Sequence, residues 1–277
     1  MINKSLALFA TSLVLVGTAF GALTGEQLST LKQKLANSDP AIRKQALEEL
    51  AKENPKTAGN DILPLLSSAL ADRDAKVRAR AAAVFAMIAF STHPKFNQSG
   101  ANITDLRSDP RVEPALIGAL NDPDEETRKN ALAAYALAFD VSPAVQNMLV
   151  SRYDAERPDS IFRNAILEAL TIDGKAAPAA KALLVRVADS PANDSRILAQ
   201  VIQDSKAAPL ELLPRFGARF MSAGDEQEKA LFACAIAKFG ASAKPYVTQL
   251  EEAANSVSSD SARKTITKAV AMINAAK

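Results

Sequence analysis

Apolar residues recur along this chain at the three- and four-residue spacing of helices that bury one face. In the segment 61–71, for example, Ile62, Leu65, Leu66 and Leu70 make such a stripe. Segments of this kind come in pairs joined by short turns, so the pattern predicts an all-α protein of about seven helix pairs. The predicted pairs are 26–36 with 40–52, 61–71 with 75–90, 112–120 with 124–139, 143–153 with 160–172, 177–188 with 194–203, 209–221 with 225–239, and 244–254 with 261–275.

The turn inside each pair repeats one motif, an aspartate followed four residues later by an arginine. An aspartate at the N-cap accepts a hydrogen bond from a free backbone N–H, and the arginine can reach back to that carboxylate or across to the next repeat. Stacked in register, these pairs would form a structural ladder along one edge. Its predicted members are Asp39 and Arg43, Asp74 and Arg78, Asp124 and Arg128, and Asp159 and Arg163.

Weaker copies of the motif end at Arg196, Lys229 and Arg263. The steps between successive basic positions are 35, 50, 35, 33, 33 and 34 residues. A nearly constant period of this length is typical of a solenoid, in which each repeat contacts only its neighbours.

The aspartate and arginine positions resemble those of the HEAT repeat family, in which such residues form a ladder between repeats. The resemblance covers nearly all of 25–277, although Asn193, Lys229 and Ser259 depart from the motif. It implies an α-solenoid, a right-handed superhelix of about seven HEAT-like helix pairs, whose second helices line a concave surface.

One step of 50 residues interrupts the period, which places an insertion of roughly 15–16 residues within 91–110. Insertions in solenoids fall on one face, often the binding face, while a tolerated surface excursion is the alternative. The insertion contains His93, the only histidine of the chain, and Asp105.

The N-terminal segment 1–21 has the pattern of a secretory signal peptide. Lys4 supplies a positive charge, residues 5–16 are almost uninterruptedly apolar, and Ala19 and Gly21 suit a signal peptidase that cuts before Ala22. The pattern predicts Sec-type export to the periplasm or the medium, with 22–277 as the mature solenoid and no stable membrane insertion after leader removal. An uncleaved membrane anchor is the alternative.

Composition argues against several classes of function. The formal net charge is +2 with interspersed charges, whereas nucleic-acid binders usually carry a basic stripe, so no nucleic-acid partner is expected. Cys234 is the only cysteine and excludes an internal disulfide. It lies in an apolar helical run, where a buried thiol is expected, although a disulfide to a partner is the other possibility.

We expect no enzyme, no metal and no cofactor, because one histidine and one cysteine far apart supply neither a catalytic triad nor a zinc site. We expect instead a non-catalytic scaffold that binds a protein or peptide through its concave surface. Its candidate binding residues lie just after each ladder arginine and one turn later on the second helices. They are Lys44, Glu48, Arg80, Lys129, Asn130, Asn164, Glu168 and Gln200.

Two other hypotheses remain open. A lyase-type or other HEAT-like enzyme would use the insertion at 91–110, with His93 and Asp105 as acid–base groups. A structural component of the cell envelope would be held at the membrane by an uncleaved leader.

Overall fold

The structure, a computed structural model, describes residues 22–52, 58–93, 104–171, 175–190, 193–205 and 208–276. The predicted leader, 1–21, lies outside these residues, and so do residues 94–103 of the insertion. The described chain divides into two compact units, 22–141 and 142–276. The helices of the first unit are α1 (Gly25–Leu35), α2 (Pro40–Lys52), α3 (Leu63–Ala69), α4 (Ala75–Thr92), α5 (Val112–Ala119) and α6 (Glu125–Ala138).

The second unit continues the same alternation of helices. Its helices are α7 (Pro143–Ala155), α8 (Ile161–Thr171), α9 (Pro178–Asp189), α10 (Asn193–Asp204), α11 (Leu213–Ser222), α12 (Glu226–Ala237), α13 (Val247–Ser256) and α14 (Asp260–Ala275). Short 3-10 turns precede four first helices: Asn60–Ile62, Leu106–Ser108, Leu210–Leu212 and Gly240–Tyr246. Across the described ranges, every regular element is helical and none is a strand.

Each unit consists of two layers of helices. The second helices of the pairs pack side by side, α2 on α4 and α4 on α6 in one unit, and α8, α10, α12 and α14 in succession in the other. The first helices form the other layer, α1 on α3 and α3 on α5, then α7 on α9 and α9 on α11. Because each pair contacts mainly the pairs next to it, the architecture is the predicted α-solenoid.

The core lies between the two layers and combines small and large side chains. Ala46, Ala81 and Ala131 are almost completely buried, while Phe85 and Tyr135 fill the wider spaces. Alanine lets helix axes approach closely, and each large apolar side chain contributes about 1.5–3 kcal/mol through burial. This combination of small and large side chains explains how a chain with 5% aromatic residues forms a continuous core.

Prolines and glycines lie at several helix ends. Pro178 occupies the first turn of α9, where its missing N–H costs no hydrogen bond. Gly240 follows the end of α12 with φ at 54°, the left-handed conformation that glycine adopts without strain. Pro245 lies within the 3-10 turn before α13. The sequence also favours a glycine cap at Gly174, which lies outside the described residues.

Candidate functional site

The turns between first and second helices carry the residues that join one repeat to the next. In the turn before α4, Asp74 is the N-cap and accepts hydrogen bonds from the backbone of Lys76 and Val77. Asp72 lies two residues earlier and accepts from the N–H of Asp74 at 2.9 Å. The turn therefore holds two aspartates with different roles. Asp74 caps the helix, whereas the carboxylate of Asp72 can still accept hydrogen bonds from another repeat.

That partner is an arginine of the preceding repeat. Arg43 donates from Nε and Nη2 to the two carboxylate oxygens of Asp72, each at 2.7 Å. Its Nη1 donates to the carbonyl oxygens of Asn37 and Ser38 in its own turn, both at 2.9 Å. The hydrogen bonds from Arg43 hold the pKa of Asp72 below its ordinary value. One guanidinium thus closes its own turn and binds the next repeat.

The next rung of the ladder repeats this geometry. Arg78 donates from Nε and Nη2 to Asp122 at 2.6 and 2.9 Å, and from Nη1 to the carbonyl oxygens of Asp72 and Arg73. Asp122 in turn accepts from the N–H of Asp124, the N-cap of α6. The ladder partners of Arg43 and Arg78 are therefore Asp72 and Asp122, which were not among the predicted members.

Arg128 closes its own turn in the same way. Its Nη1 donates to the carbonyl oxygens of Asp122 and Pro123 at 2.8 and 3.0 Å. The residue is 5% exposed, so its guanidinium is buried together with the turn that it closes.

In the second unit, the predicted pair of Asp159 and Arg163 does not form. Arg163 donates from Nη2 to Asp194 at 2.9 Å, and its guanidinium carbon lies 4.2 Å from the ring centroid of Tyr153. The hydroxyl of Tyr153 also donates to Asp194, at 3.2 Å. Asp159 is exposed, and the first-turn N–H of Phe162 bonds to the hydroxyl of Ser160 instead.

The predicted binding residues of the first two repeats form one charged cluster. Glu48 on α2 accepts from Lys44, one turn earlier, and from Arg80 on α4, each at 3.1 Å. The hydrogen bond from Lys44, with the nearby charge of Arg80, lowers the pKa of Glu48, so this carboxylate is ionised at neutral pH. The three side chains are only partly buried and line the outer face of adjacent second helices.

The third repeat extends this cluster with a second set of polar residues on α6. Lys129 forms an ion pair with Glu126, and the amide of Asn130 donates to the other oxygen of Glu126 at 3.1 Å. Asn130 is 8% exposed, more buried than a residue predicted to meet a partner directly. Glu126, which sequence reasoning passed over, is the exposed member of the set.

Sequence reasoning also missed an apolar strip that continues the same helix faces. On α4, the positions that follow Arg80 in steps of three and four residues lie on the same helix face as Arg80. On α6, the positions that begin one turn after Lys129 lie on the same face as Lys129. These side chains are apolar, and all but the most buried, Ala133, are partly exposed. We call them the apolar strip: Ala83, Met87, Phe90, Ala133, Ala136 and Leu137.

The predicted binding residues of the second unit have unequal access to solvent. Asn164 on α8 is partly exposed, and Gln200 on α10 is exposed. Glu168 is 5% exposed and is therefore part of the interior rather than of an open surface.

Cys234 on α12 is half-buried, and burial raises the pKa of its thiol, so the thiol is protonated at neutral pH.

Asp105 and His93, the two residues considered for catalysis, both take part in hydrogen bonds that end or cap a helical element. Asp105 caps the turn Leu106–Ser108 by accepting from the N–H of Arg107 at 3.0 Å, and its own N–H donates to Asn60. His93 is the C-cap residue of α4, and its N–H bonds to the carbonyl oxygen of Ala89. Residues 94–103, the centre of the insertion, lie outside the described residues.

Two features are absent from the described part of the chain: a metal-binding cluster and a membrane-spanning helix. It holds no group of three or more histidine, cysteine, aspartate or glutamate side chains placed to bind a metal ion. Among the same residues, no helix has the length and hydropathy needed to cross a bilayer.

Comparison with known proteins shows a similarity of structure alone. No protein-family model matches the chain, and no curated protein matches it. An engineered protein solved by a structural genomics consortium is similar to it with 16% identity and a TM-score of 0.54, over 91% of this chain and 69% of that one. At 16% identity the similarity concerns the fold alone, which in the described residues is an all-helical α-solenoid.

Two further solved structures are more distant. A designed armadillo repeat protein in complex with the peptide (KR)4 has 17% identity and a TM-score of 0.39, over 89% of this chain and 99% of that one. Kap121p has 16% identity and a TM-score of 0.47, over 91% of this chain and 29% of its own length.

Proposed function

We propose that this protein is an exported, non-catalytic scaffold that binds a polypeptide on the outer face of its second helices. One observation carries the proposal: in the first unit, Arg80 on α4 and Lys129 on α6 lie on the same helix faces as the apolar strip, and Arg80 is paired with Glu48 on the neighbouring α2. Partly exposed apolar side chains beside fixed charges are typical of surfaces that recognise peptides and helices.

The charges of this surface favour a polypeptide over a nucleic acid. Lys44 and Arg80 share the carboxylate of Glu48, and Lys129 is paired with Glu126. A phosphate backbone would have to displace these carboxylates, which costs much of the electrostatic attraction that drives nucleic-acid binding. A polypeptide can satisfy both signs of charge along the surface while its apolar side chains contact the strip.

Peptide selection on the purified chain tests this proposal. We expect a random peptide library to yield binders, and we expect Met87→Glu to weaken their binding at least about tenfold, since a charge at the centre of an apolar contact removes a binding hot spot. Lys181→Glu, at an exposed position of α9 in the other layer, is the matched control and should leave affinity unchanged. Selected peptides that bind both variants equally well would contradict the proposed site.

Export is the second part of the proposal and rests on the leader pattern at 1–21. The test is the intact mass of the protein recovered from the envelope fraction of a producing bacterium. The proposal expects a chain that begins at Ala22. A chain that retains residues 1–21 in that fraction would favour the anchored envelope component instead.

A further inference from the structure

We propose that two copies of this chain associate through the outer face of α11, with the two helices paired antiparallel about a two-fold axis. This face belongs to the first-helix layer of the second unit, whereas the polypeptide-binding surface assigned above belongs to the second-helix layer of the first unit. The inference therefore goes beyond the proposed function: the assembly carries two polypeptide-binding surfaces.

The outer face of α11 is apolar along its length. Leu210, in the turn directly before the helix, is 57% exposed, and Met221, near the end of the helix, is 64% exposed. Pro214 and Ala218 between them are also exposed, and steps of four, four and three residues place all four side chains on one face. We call these four residues the α11 patch. Contiguous exposed apolar side chains indicate a surface that another molecule covers.

The neighbouring first helices expose polar side chains instead. On α9 these include Lys181 and Arg186, and on α13 they include Thr248, Glu252 and Asn255. An apolar centre bordered by a polar rim is the usual anatomy of a protein–protein interface.

The sizes of the side chains in the α11 patch suit an antiparallel pair. The large side chains of Leu210 and Met221 lie at the two ends, and the smaller ones of Pro214 and Ala218 lie near the centre. When a second copy lies across the patch with its helix reversed, the small residues meet at the crossing point and let the helices approach closely. Leu210 of each copy then packs on Met221 of the other, as an isologous interface requires.

The charges along one edge of α11 are self-complementary in the same arrangement. Glu211, Arg215 and Arg219 are four residues apart, so they lie along one edge of the helix. Arg215 is paired with Asp189 of α9 at 3.0 Å, and Arg219 donates to the carbonyl oxygens of Ala188 and Asp189, which leaves its positive charge on this edge.

A two-fold axis brings the same edge of both helices together in opposite directions. The exposed Glu211 of one copy then faces Arg219 of the other, and this contact occurs twice. A parallel pair would instead place like charges opposite each other. The fit of size and charge under one rotation is the observation that favours a second copy over a different protein.

Sedimentation velocity over a range of concentrations tests the inference on the protein recovered from a producing bacterium. We expect a monomer–dimer equilibrium, and we expect Met221→Glu to raise its dissociation constant at least about tenfold, because a charge then enters the apolar centre of the interface. Met272→Glu, at a 47% exposed apolar position of α14, is the matched control and should leave the equilibrium unchanged. The melting temperature of Met221→Glu should equal that of the native protein, since the side chain is exposed.

Disulfide cross-linking tests the two-fold geometry directly. In a Cys234→Ser background, a mixture of one chain with Leu210→Cys and another with Met221→Cys should form linked dimers under mild oxidation. Neither variant alone should do so at a comparable rate, because the axis pairs position 210 with position 221. A mixture of Met221→Cys and Met272→Cys is the control and should stay unlinked.

Three results would overturn the inference. They are a chain that stays monomeric up to about 100 μM, a dimer that Met272→Glu weakens and Met221→Glu does not, and equal cross-linking of like and unlike positions. The proposed function is tested separately by Met87→Glu, which should weaken peptide binding and leave the monomer–dimer equilibrium unchanged.

Discussion

Arg78 binds Asp122 with two parallel hydrogen bonds, although 44 residues separate them in the sequence. The insertion at 91–110 lies between these two residues, yet the geometry matches that of Arg43 with Asp72, where no insertion intervenes. The repeat-to-repeat contact is therefore independent of the length of the connection. This explains how a solenoid accepts a long insertion without losing its register.

The planar guanidinium of Arg78 makes the first prediction possible. Arg78→Lys keeps the charge but removes both the paired hydrogen bonds and the contact with the carbonyl oxygens of its own turn. We expect a loss of about 1–2 kcal/mol in the free energy of unfolding, measured by urea denaturation. Arg73→Lys, at an exposed neighbouring position, should change it by less than about 0.5 kcal/mol. Equal effects of the two substitutions would show that only charge matters at this position.

The carboxylate of Asp72 makes acid stability the second prediction. Its folded-state pKa is lowered by Arg43, so it stabilises the folded protein above the unfolded-state pKa, about 3.9, and this contribution disappears as pH falls through the folded-state value. Asp72→Asn should therefore lower stability at pH 6 but reduce the further loss below about pH 4. Unfolding curves at a series of pH values measure this, and parallel pH profiles of the two proteins would contradict it.

The contact of Arg163 with Tyr153 and Asp194 provides the third prediction. Arg163→Ala removes a hydrogen bond to a charged group and a cation–π contact, so we expect a loss of about 1–3 kcal/mol. Arg157→Ala, whose side chain is 77% exposed, is the control and should have little effect. An unchanged melting curve for Arg163→Ala would mean that this rung does not stabilise the second unit.

Close packing at Gly217 gives the fourth prediction. A Cβ at this position of α11 would overlap the ring of Tyr246, so Gly217→Ala should destabilise by about 1–3 kcal/mol through overpacking. In a Tyr246→Ala background the clash disappears, and the same change should stabilise by up to about 1 kcal/mol because alanine favours the helix. The sign reversal can be followed by thermal unfolding, and a substitution that stabilises both backgrounds would contradict the packing.

The repeat pattern predicted those parts of the structure that local interactions determine. Asp74, Asp124 and Asp225 are N-caps as expected, because a cap bonds to backbone only two or three residues away. The prediction was wrong at Asp159, since the next residue, Ser160, supplies the hydroxyl that bonds to the first turn of α8. A serine beside an aspartate leaves two possible caps, and the sequence alone does not decide between them.

Contacts between repeats were harder to predict. The arginines bind Asp72 and Asp122, each two residues before the capping aspartate, because that carboxylate points outward from the turn. The motif Asp-x-Asp is visible in the sequence. The sequence alone does not show which aspartate caps the helix and which binds the arginine of the preceding repeat. The apolar strip was missed for a simpler reason: the candidate surface ended one turn after each arginine, while the helix face continues.

The central claim is that an arginine of one repeat joins it to an aspartate at the turn of the next. A double-mutant cycle with Arg78→Ala, Asp122→Ala and the combination of both measures this contact most directly through the free energy of unfolding. We predict a coupling energy of about 1–3 kcal/mol between the two positions, since each substitution alone leaves a partly buried charge without its partner. Strictly additive effects, with coupling below about 0.3 kcal/mol, would contradict the account.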